Sequence, residues 1–395
     1  MKRFTKIYIL FFLCILLLLN TACSKTSVIP NITGATTSVP NNDIFPDYIS
    51  TNNVSIQTTL SSGVLVDAKI HISDDVNLNS LSTYYASLAI FDFDKAKEVL
   101  LGNKRIINEI LDETGESKTN CPYRYCDTSD GFALSSVGEN LYFTGDAERK
   151  ITLLFDQSEE GNSDQFNSTT DLDFASRDNV QKEIESVIKR LNISVEPCPT
   201  CYVLDYETLA KECKKYNEYM NNTFDGMFPT IEVEKDDECY IFIYQLAPFD
   251  LPISTHQNGM FGDGSWTSGT YVQCTYSSAG LIGMQVNYQF TDIVVDMKDN
   301  VGMTVIQALD CLNSKYNSMI LEGRYLVYNI EFEYVPVPDF GSENRYALQP
   351  AWRFSIIHFF DIADKTIPDN QITVNQRITA VFNAITGKEL AIDYV

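Results

Sequence analysis

Cysteine is the residue type most able to do chemistry in this chain, which has ten cysteines but only three histidines among 395 residues. Setting aside Cys14 and Cys23 near the N-terminus leaves eight of the ten in the body of the chain. An even number of cysteines in an oxidising environment favours disulfide bonds, without fixing their connectivity. Our disulfide candidates are the members of two close pairs, Cys121 with Cys126 and Cys198 with Cys201.

These four cysteines also fit two other kinds of site. Cys198-Pro-Thr-Cys201 suits thiol oxidoreductase chemistry if a helix begins directly after it, because the helix dipole stabilises a thiolate. Here the next predicted helix begins only near Asp205. The two pairs could also offer four thiolates to a zinc ion, but a whole predicted subdomain separates them along the chain. We therefore predict disulfides, and neither a metal site nor a cofactor.

Histidine chemistry has few places in this sequence. His71 and His358 fall within predicted strands, where a packed and hydrogen-bonded imidazole is the common case. His256 instead lies in a glycine-rich loop with Asp263 and Trp266. These three residues are a candidate ligand-binding set, with plain solvent exposure as the alternative. Neither a Gly-x-Ser-x-Gly elbow nor a His-Glu-x-x-His pair occurs, so we predict no catalytic residues and no enzymatic activity.

The N-terminus carries an export signal. Basic residues are followed by an unbroken apolar run from Ile7 to Leu19, which is shorter than the roughly 20 residues that a membrane-spanning helix needs. The segment from Leu19 to Cys23 then resembles the lipobox of bacterial lipoproteins, although Asn20 stands where that family prefers a branched apolar residue. The resemblance implies removal of the signal peptide, residues 1–22, and lipidation of Cys23 by palmitate. An ordinary secreted protein is the alternative.

The predicted location is therefore the extracellular face of the cytoplasmic membrane, with the lipid at Cys23 as the anchor. The formal net charge of −24, from 29 bases and 53 acids, excludes nucleic acid as a partner because it repels phosphate. With 44% apolar and 21% charged residues, the body should fold rather than stay disordered. Residues 23–50, rich in Ser, Thr, Asn and Pro, are predicted to form a flexible stalk.

Hydrophobic periodicity predicts the elements that would position these residues. Strands at 54–60 and 64–72 form a hairpin, and helices cover 179–191 and 206–220. A capping box at Thr304 predicts a third helix, and the strand at 327–335 alternates packed aromatic residues with wet polar ones. A helical piece is predicted at 106–111 and a strand at 150–155.

These elements predict an α+β fold with two or three units, each a helix packed on an antiparallel β-meander. The predicted domains are an N-terminal α+β domain at 51–160, a middle α+β domain at 170–300 and a C-terminal α+β unit at 301–395. A single unit that joins the middle and C-terminal ranges is the alternative.

Two C-terminal segments resemble known regulatory domains. Tyr346–Phe354, with its Pro-x-Trp, and Phe382–Leu390, with its Asn-Ala-x-x-Gly, are similar to the end of PepSY-type domains and of the YycH and YycI regulators of Gram-positive sensor kinases. Over its whole length the chain is similar to an uncharacterised family of clostridial surface lipoproteins. The resemblance implies a PepSY-like C-terminal unit and supplies no catalytic residues.

The sequence thus predicts a non-catalytic, membrane-anchored lipoprotein that binds an envelope protein partner or regulates one. The alternative is a solute- or glycan-binding lipoprotein that uses the loop around Trp266. An envelope enzyme or thiol oxidoreductase is a third and less favoured hypothesis.

Overall fold

A computed structural model describes residues 54–73, 76–112, 123–137, 140–157, 161–224, 227, 229–248, 251–256, 269–339, 345–363 and 371–392. The predicted signal peptide, the lipidation site Cys23 and the stalk at 23–50 lie outside these residues. Among the helices that the structure describes, none is long and apolar enough to cross a bilayer.

The described residues form sixteen strands and five α-helices. In chain order the strands are β1 Val54–Thr59, β2 Leu65–His71, β3 Leu81–Leu88, β4 Ile106–Asp112, β5 Tyr123–Thr128, β6 Ala133–Val137, β7 Asn140–Thr144, β8 Thr200–Leu204, β9 Cys239–Gln245, β10 Tyr271–Ser277, β11 Gly280–Val286, β12 Phe290–Asn300, β13 Arg324–Pro338, β14 Arg345–Ala363, β15 Gln371–Asn383 and β16 Glu389–Ile392. The helices are α1 Phe93–Ala96, continued by a π-helical turn at Lys97–Leu101, α2 Asp146–Leu154, α3 Arg177–Arg190, α4 Tyr206–Phe224 and α5 Val305–Asn317.

The first sheet joins the two ends of the described chain. Its strand order is β1-β2-β13-β14-β15-β16, with β3 paired to β14 and β12 paired to β3. The predicted N-terminal hairpin is confirmed by the antiparallel pairing of β1 with β2. Strand β2 then runs parallel to β13, where Val66 lies opposite Val327.

The second sheet is built from the chain between β3 and β12. Its eight strands follow the order β4-β5-β6-β7-β11-β10-β9-β8, and every neighbouring pair is antiparallel. The predicted domain ranges stay a prediction, since membership of a sheet does not by itself define a folding unit.

The predicted fold class, α+β with helices packed on separate meanders, is wrong. Of the residues that the structure describes, 45% lie in strands and 25% in helices, and two large sheets organise them. Local periodicity identifies single strands and helices but does not show which distant strands pair. Strands assigned by sequence to separate meanders therefore share one sheet in the structure.

Each sheet buries one or both of its faces against helices. On the first sheet, α5 places Leu309 and Leu312 over Ile330, Trp352 and Phe354, all of them buried. The capping box that predicted α5 is confirmed by hydrogen bonds in both directions between Thr304 and Gln307. On the second sheet, α3 packs on one face, whereas α2 and α4 pack on β8 and β9, at one end of the other face.

Two predicted elements have the wrong secondary structure. Residues 106–111, predicted as helical, form β4, and residues 150–155, predicted as a strand, lie mostly in α2. The apolar residues at 106, 107, 110 and 111 fit a helical spacing as well as a strand, so periodicity alone does not separate the two. In α2, the buried Ile151 and Leu154 are three residues apart, as expected for one face of a helix.

Candidate functional site

The glycine-rich loop that was predicted to bind a ligand is closed at its base. Thr270 donates to the Ser254 carbonyl twice, from its backbone nitrogen at 3.0 Å and from Oγ1 at 2.7 Å. A Cβ atom on Gly269 would lie 1.7 Å from the Thr255 carbonyl oxygen, so the two ends approach closely enough to require glycine. We call Ser254–His256 with Gly269–Thr270 the loop neck. Asp263 and Trp266 lie outside the described residues.

The loop neck is held by strands of both sheets. The Ser254 backbone nitrogen donates to the Tyr334 carbonyl of β13 at 2.9 Å, and Tyr334 donates to the Pro252 carbonyl at 2.8 Å. From the second sheet, Gln245 Nε2 donates to the Ile253 carbonyl at 2.6 Å. The neck is thus fixed where the two sheets meet.

A buried ion pair lies beneath the neck. Arg353 Nε on β14 donates to Glu333 Oε1 on β13 at 2.6 Å, and the two side chains are only 2% and 6% exposed. Arg353 Nη2 also donates to Ser254 Oγ at 3.2 Å. The sequence predicted Glu333 on a wet face of its strand, and this prediction is wrong. A buried charge needs a partner, and here Arg353 and Glu333 are partners for each other. The hydrogen bond from Arg353 to Ser254 joins this ion pair to the neck above it.

His256 forms a second and more accessible ion pair beside the first. Its Nε2 lies 3.1 Å from Glu331 Oε2, with side-chain exposures of 34% and 27%. Burial and the charge of Arg353 oppose protonation of His256, but hydrogen bonding to Glu331 and the charges of Glu333 and Glu331 raise its pKa overall. For Glu331, burial is likewise outweighed, by His256 and Arg353, and its pKa falls to about 2. The pair fastens the start of the loop to the sheet.

The structure separates the cysteine candidates. Cys198 is exposed, Cys201 is half-buried and Cys126 is buried, and all three carry free thiols. Cys121 lies outside the described residues, so the 121–126 disulfide stays a prediction, as does a 198–201 disulfide formed by oxidation. Burial raises the pKa values of Cys126 and Cys201 to about 11, which disfavours the reactive thiolate.

A zinc site shared by the two cysteine pairs does not fit this geometry. Cys126 lies on β5 and Cys201 on β8, and five other strands of the second sheet lie between them. At about 4.8 Å per strand this separates them by roughly 29 Å, whereas two ligands of one zinc ion lie within a few ångströms of each other. Within the part of the chain that the structure describes, no group of three or more His, Cys, Asp or Glu residues could hold a metal ion.

The outer strand of the second sheet is a feature that the sequence prediction missed. Strand β4 pairs with β5 and ends the sheet, and its first six residues are all exposed. Ile107 and Leu111 are 61% and 59% exposed, and Ile106 and Ile110 are exposed as well. Three isoleucines in a six-residue run were the available signal, because β-branched residues favour strands.

A second outer strand, β12 of the first sheet, also has exposed apolar residues, including Val294 and Met297. Its pairing with β3 is interrupted at three register shifts, and Asp292 and Asp299 have positive φ values. Such bulges distort the edge that a further strand would need. Strand β4 has one register shift, at Ile106/Asn108, and its remaining residues pair regularly with β5.

Comparison with known proteins identifies the fold and gives no family. No protein-family model and no curated protein matches the chain. A solved structure, of an uncharacterized protein from Eubacterium rectale ATCC 33656, is similar with a TM-score of 0.65 and 15% sequence identity. The similarity covers 86% of this chain and 94% of that chain. At this identity the likeness concerns the fold alone, and the resemblance to PepSY-type domains stays a prediction.

Proposed function

We propose that the chain is a non-catalytic protein of the cell envelope that binds a protein partner through β4. The lipid at Cys23 would hold it at the extracellular face of the membrane. The observation that carries the proposal is the exposed edge strand, which offers both main-chain groups and large aliphatic side chains. An edge of this kind is normally protected in soluble proteins, so its openness favours a partner.

Strand addition is the binding mode that suits this edge. An extended segment paired with β4 would use its unpaired N–H and C=O groups and cover aliphatic side chains on both faces of the strand. Full burial of one such side chain contributes about 1.5–3 kcal/mol, so a few of them could supply much of the affinity. The net charge of −24 favours a partner that is basic around the apolar segment, because opposite charge speeds association.

The absence of enzymatic activity remains part of the proposal. Two observations support it: the high pKa values of the Cys126 and Cys201 thiols, and the ion pair that fastens His256 to Glu331. The thiols are therefore weak nucleophiles, and the His256 imidazole is engaged in an ion pair.

The test is capture of envelope proteins by the full chain and by two matched lysine variants. Ile110→Lys places a charge on β4, whereas Val294→Lys places one on β12, and both positions are exposed. We expect a partner that is captured by the wild type and by Val294→Lys but lost with Ile110→Lys, at unchanged melting temperature. Equal capture by all three proteins, or loss with Val294→Lys alone, would refute binding through β4.

A further inference from the structure

The second sheet carries an uncharged row of side chains across five neighbouring strands. Register places Tyr125, Ser135, Tyr142, Gln285 and Gln273 directly opposite one another on β5, β6, β7, β11 and β10. We call these five residues the polar row. All five are half-buried, so each retains some accessible surface. Four steps of about 4.8 Å make the row roughly 19 Å long.

From this row we infer a binding site for a neutral glycan chain that lies across the strands. The inference is independent of the protein partner proposed for β4, because it concerns a face of the sheet and not its edge. Tyrosine rings offer flat apolar surfaces for the C–H faces of sugars, while Ser and Gln side chains can bond to hydroxyl groups. The spacing of neighbouring strands is close to the width of one sugar ring, so successive residues of the row can meet successive rings.

Polar groups beside the row extend the same chemistry. Gln285 Nε2 donates to Asn287 Oδ1 at 2.9 Å and to Tyr271 Oη at 3.3 Å, which links the row to the first residue after the loop neck. Asn140 lies two residues before Tyr142 on the same face, and its Oδ1 has no hydrogen-bond partner. Buried polar atoms in native proteins are normally paired, so the unpaired Oδ1 of Asn140 is an acceptor that a ligand hydroxyl could satisfy.

The charges in and around the polar row favour a neutral ligand over an acidic one. The five residues of the polar row are uncharged in a chain with 53 acidic residues. Asp127 and Arg149 act on Tyr125, at one end, and the Glu148 carboxyl packs against Gly283, two residues before Gln285 on the same face. The Tyr125 hydroxyl donates to Asp127 Oδ2 at 3.1 Å, which places a carboxylate beside that end. An acidic polymer would meet this carboxylate and the overall negative charge, whereas a neutral glycan would meet neither penalty.

A peptide fits this face less well than a glycan. The row lies inside the sheet, where each of its five strands is paired on both sides. Its main-chain groups are therefore engaged, and a peptide laid across the strands would leave its own N–H and C=O groups without main-chain partners. A ligand whose hydrogen-bonding groups are hydroxyls can be satisfied by side chains alone.

The test is binding of defined hexasaccharides to the full chain by calorimetry and thermal shift. The probes are neutral cellohexaose and maltohexaose, with hexagalacturonate as the charged match. We expect at least one neutral probe to bind and to raise the melting temperature, since it binds the folded state. We expect Tyr142→Ala to weaken that binding at least tenfold, whereas Tyr219→Ala, at an exposed tyrosine on α4, leaves it unchanged.

Because Tyr142→Ala removes a half-buried ring, Gln273→Leu, at the other end of the row, provides a second variant of nearly unchanged volume. It too should weaken binding, at a melting temperature close to that of the wild type. Binding of neither neutral probe would overturn the inference. So would equal or tighter binding of hexagalacturonate, or a loss of affinity in Tyr219→Ala as large as in the two row variants.

Discussion

Arg353 and Glu333 form an ion pair that is closed to solvent, with Nε 2.6 Å from Oε1. The pair also supports the loop neck, because the Arg353 guanidinium bonds to Ser254. The bond to Ser254 therefore connects the buried ion pair of the first sheet to the loop that the sequence predicts as a possible ligand site.

Removing one member of this pair should be strongly destabilising. We expect Arg353→Met to lower the free energy of unfolding by about 3–5 kcal/mol, because it leaves the Glu333 carboxylate buried without its main partner. Urea denaturation measures the change. Arg149→Met is the control, since its pair with Asp146 is exposed and such pairs contribute about 0–1 kcal/mol. Similar losses in the two variants would contradict the structural role of the buried pair.

The buried Glu148 should make stability depend on pH. It lies in α2, is 8% exposed, and its Oε2 has no hydrogen-bond partner. Burial raises its pKa from 4.5 to about 7. Since the folded state holds its proton more tightly than the unfolded state, stability is lost as pH rises from about 4.5 through about 7.

The matching variant is Glu148→Gln, which cannot ionise. Between pH 4 and pH 8, we expect the free energy of unfolding of this variant to rise by about 3 kcal/mol relative to that of the wild type. The reason is that a shift of one pKa unit corresponds to about 1.4 kcal/mol. Unfolding curves recorded at several pH values give this difference directly. A difference that stays constant across the range would show that Glu148 does not titrate in the way the burial implies.

Gly269 should be required for the loop neck. A Cβ atom at this position would meet backbone, which cannot move aside as a flexible side chain can. We expect Gly269→Ala to destabilise the protein and to speed hydrogen exchange at the amides of Ser254 and Thr270. Gly280→Ala is the control, because Gly280 has a φ of 95° but open space around it.

The control variant Gly280→Ala should have a free energy of unfolding about 1–2 kcal/mol lower than the wild type, because alanine is strained at a positive φ. Hydrogen exchange at the neck should be unchanged. If Gly269→Ala is as stable as the wild type, or if its neck amides exchange at the wild-type rate, the close approach at residue 269 has no structural importance.

The thiols should differ in reactivity according to burial. Cys198 is exposed, whereas Cys239 and Cys274 are fully buried and their pKa values are raised by burial. We expect a maleimide to label Cys198 in the native protein and the two buried cysteines only after unfolding. Mass spectrometry of protease digests identifies each site. Protection of Cys198 that disappears with a reducing agent would instead indicate the disulfide with Cys201.

The sequence was sufficient for elements whose pattern has one interpretation. Helix α3 follows from apolar residues at helical spacing, and α5 from a capping box, because both signals are local. Strand β4 was mistaken for a helix because Ile106, Ile107, Ile110 and Leu111 suit either structure. The parallel pairing of β2 with β13 has no local signal at all, so the fold class was predicted wrongly.

The candidate sites also depend on residues that are distant in sequence, which no local pattern brings together. His256 was singled out by its loop, but its partner Glu331 comes from a strand far along the chain. The polar row is drawn from five strands, and only their register brings its members together. Such a site becomes visible in the sequence only after the strand order is known.

In the sequence, all the strands of the second sheet lie between β3 and β12 of the first sheet, and this order affects folding. Val66 can pair with Val327 only after the residues of the whole second sheet have been synthesised. Pairings this distant in sequence slow folding. While the chain is still being synthesised, we expect β2 to lack its partner β13 and β3 to lack β12 and β14, although β1 and β2 can pair with each other. A fragment that stops before Phe290 would leave one edge of β2 and both edges of β3 unpaired, and we expect it to aggregate.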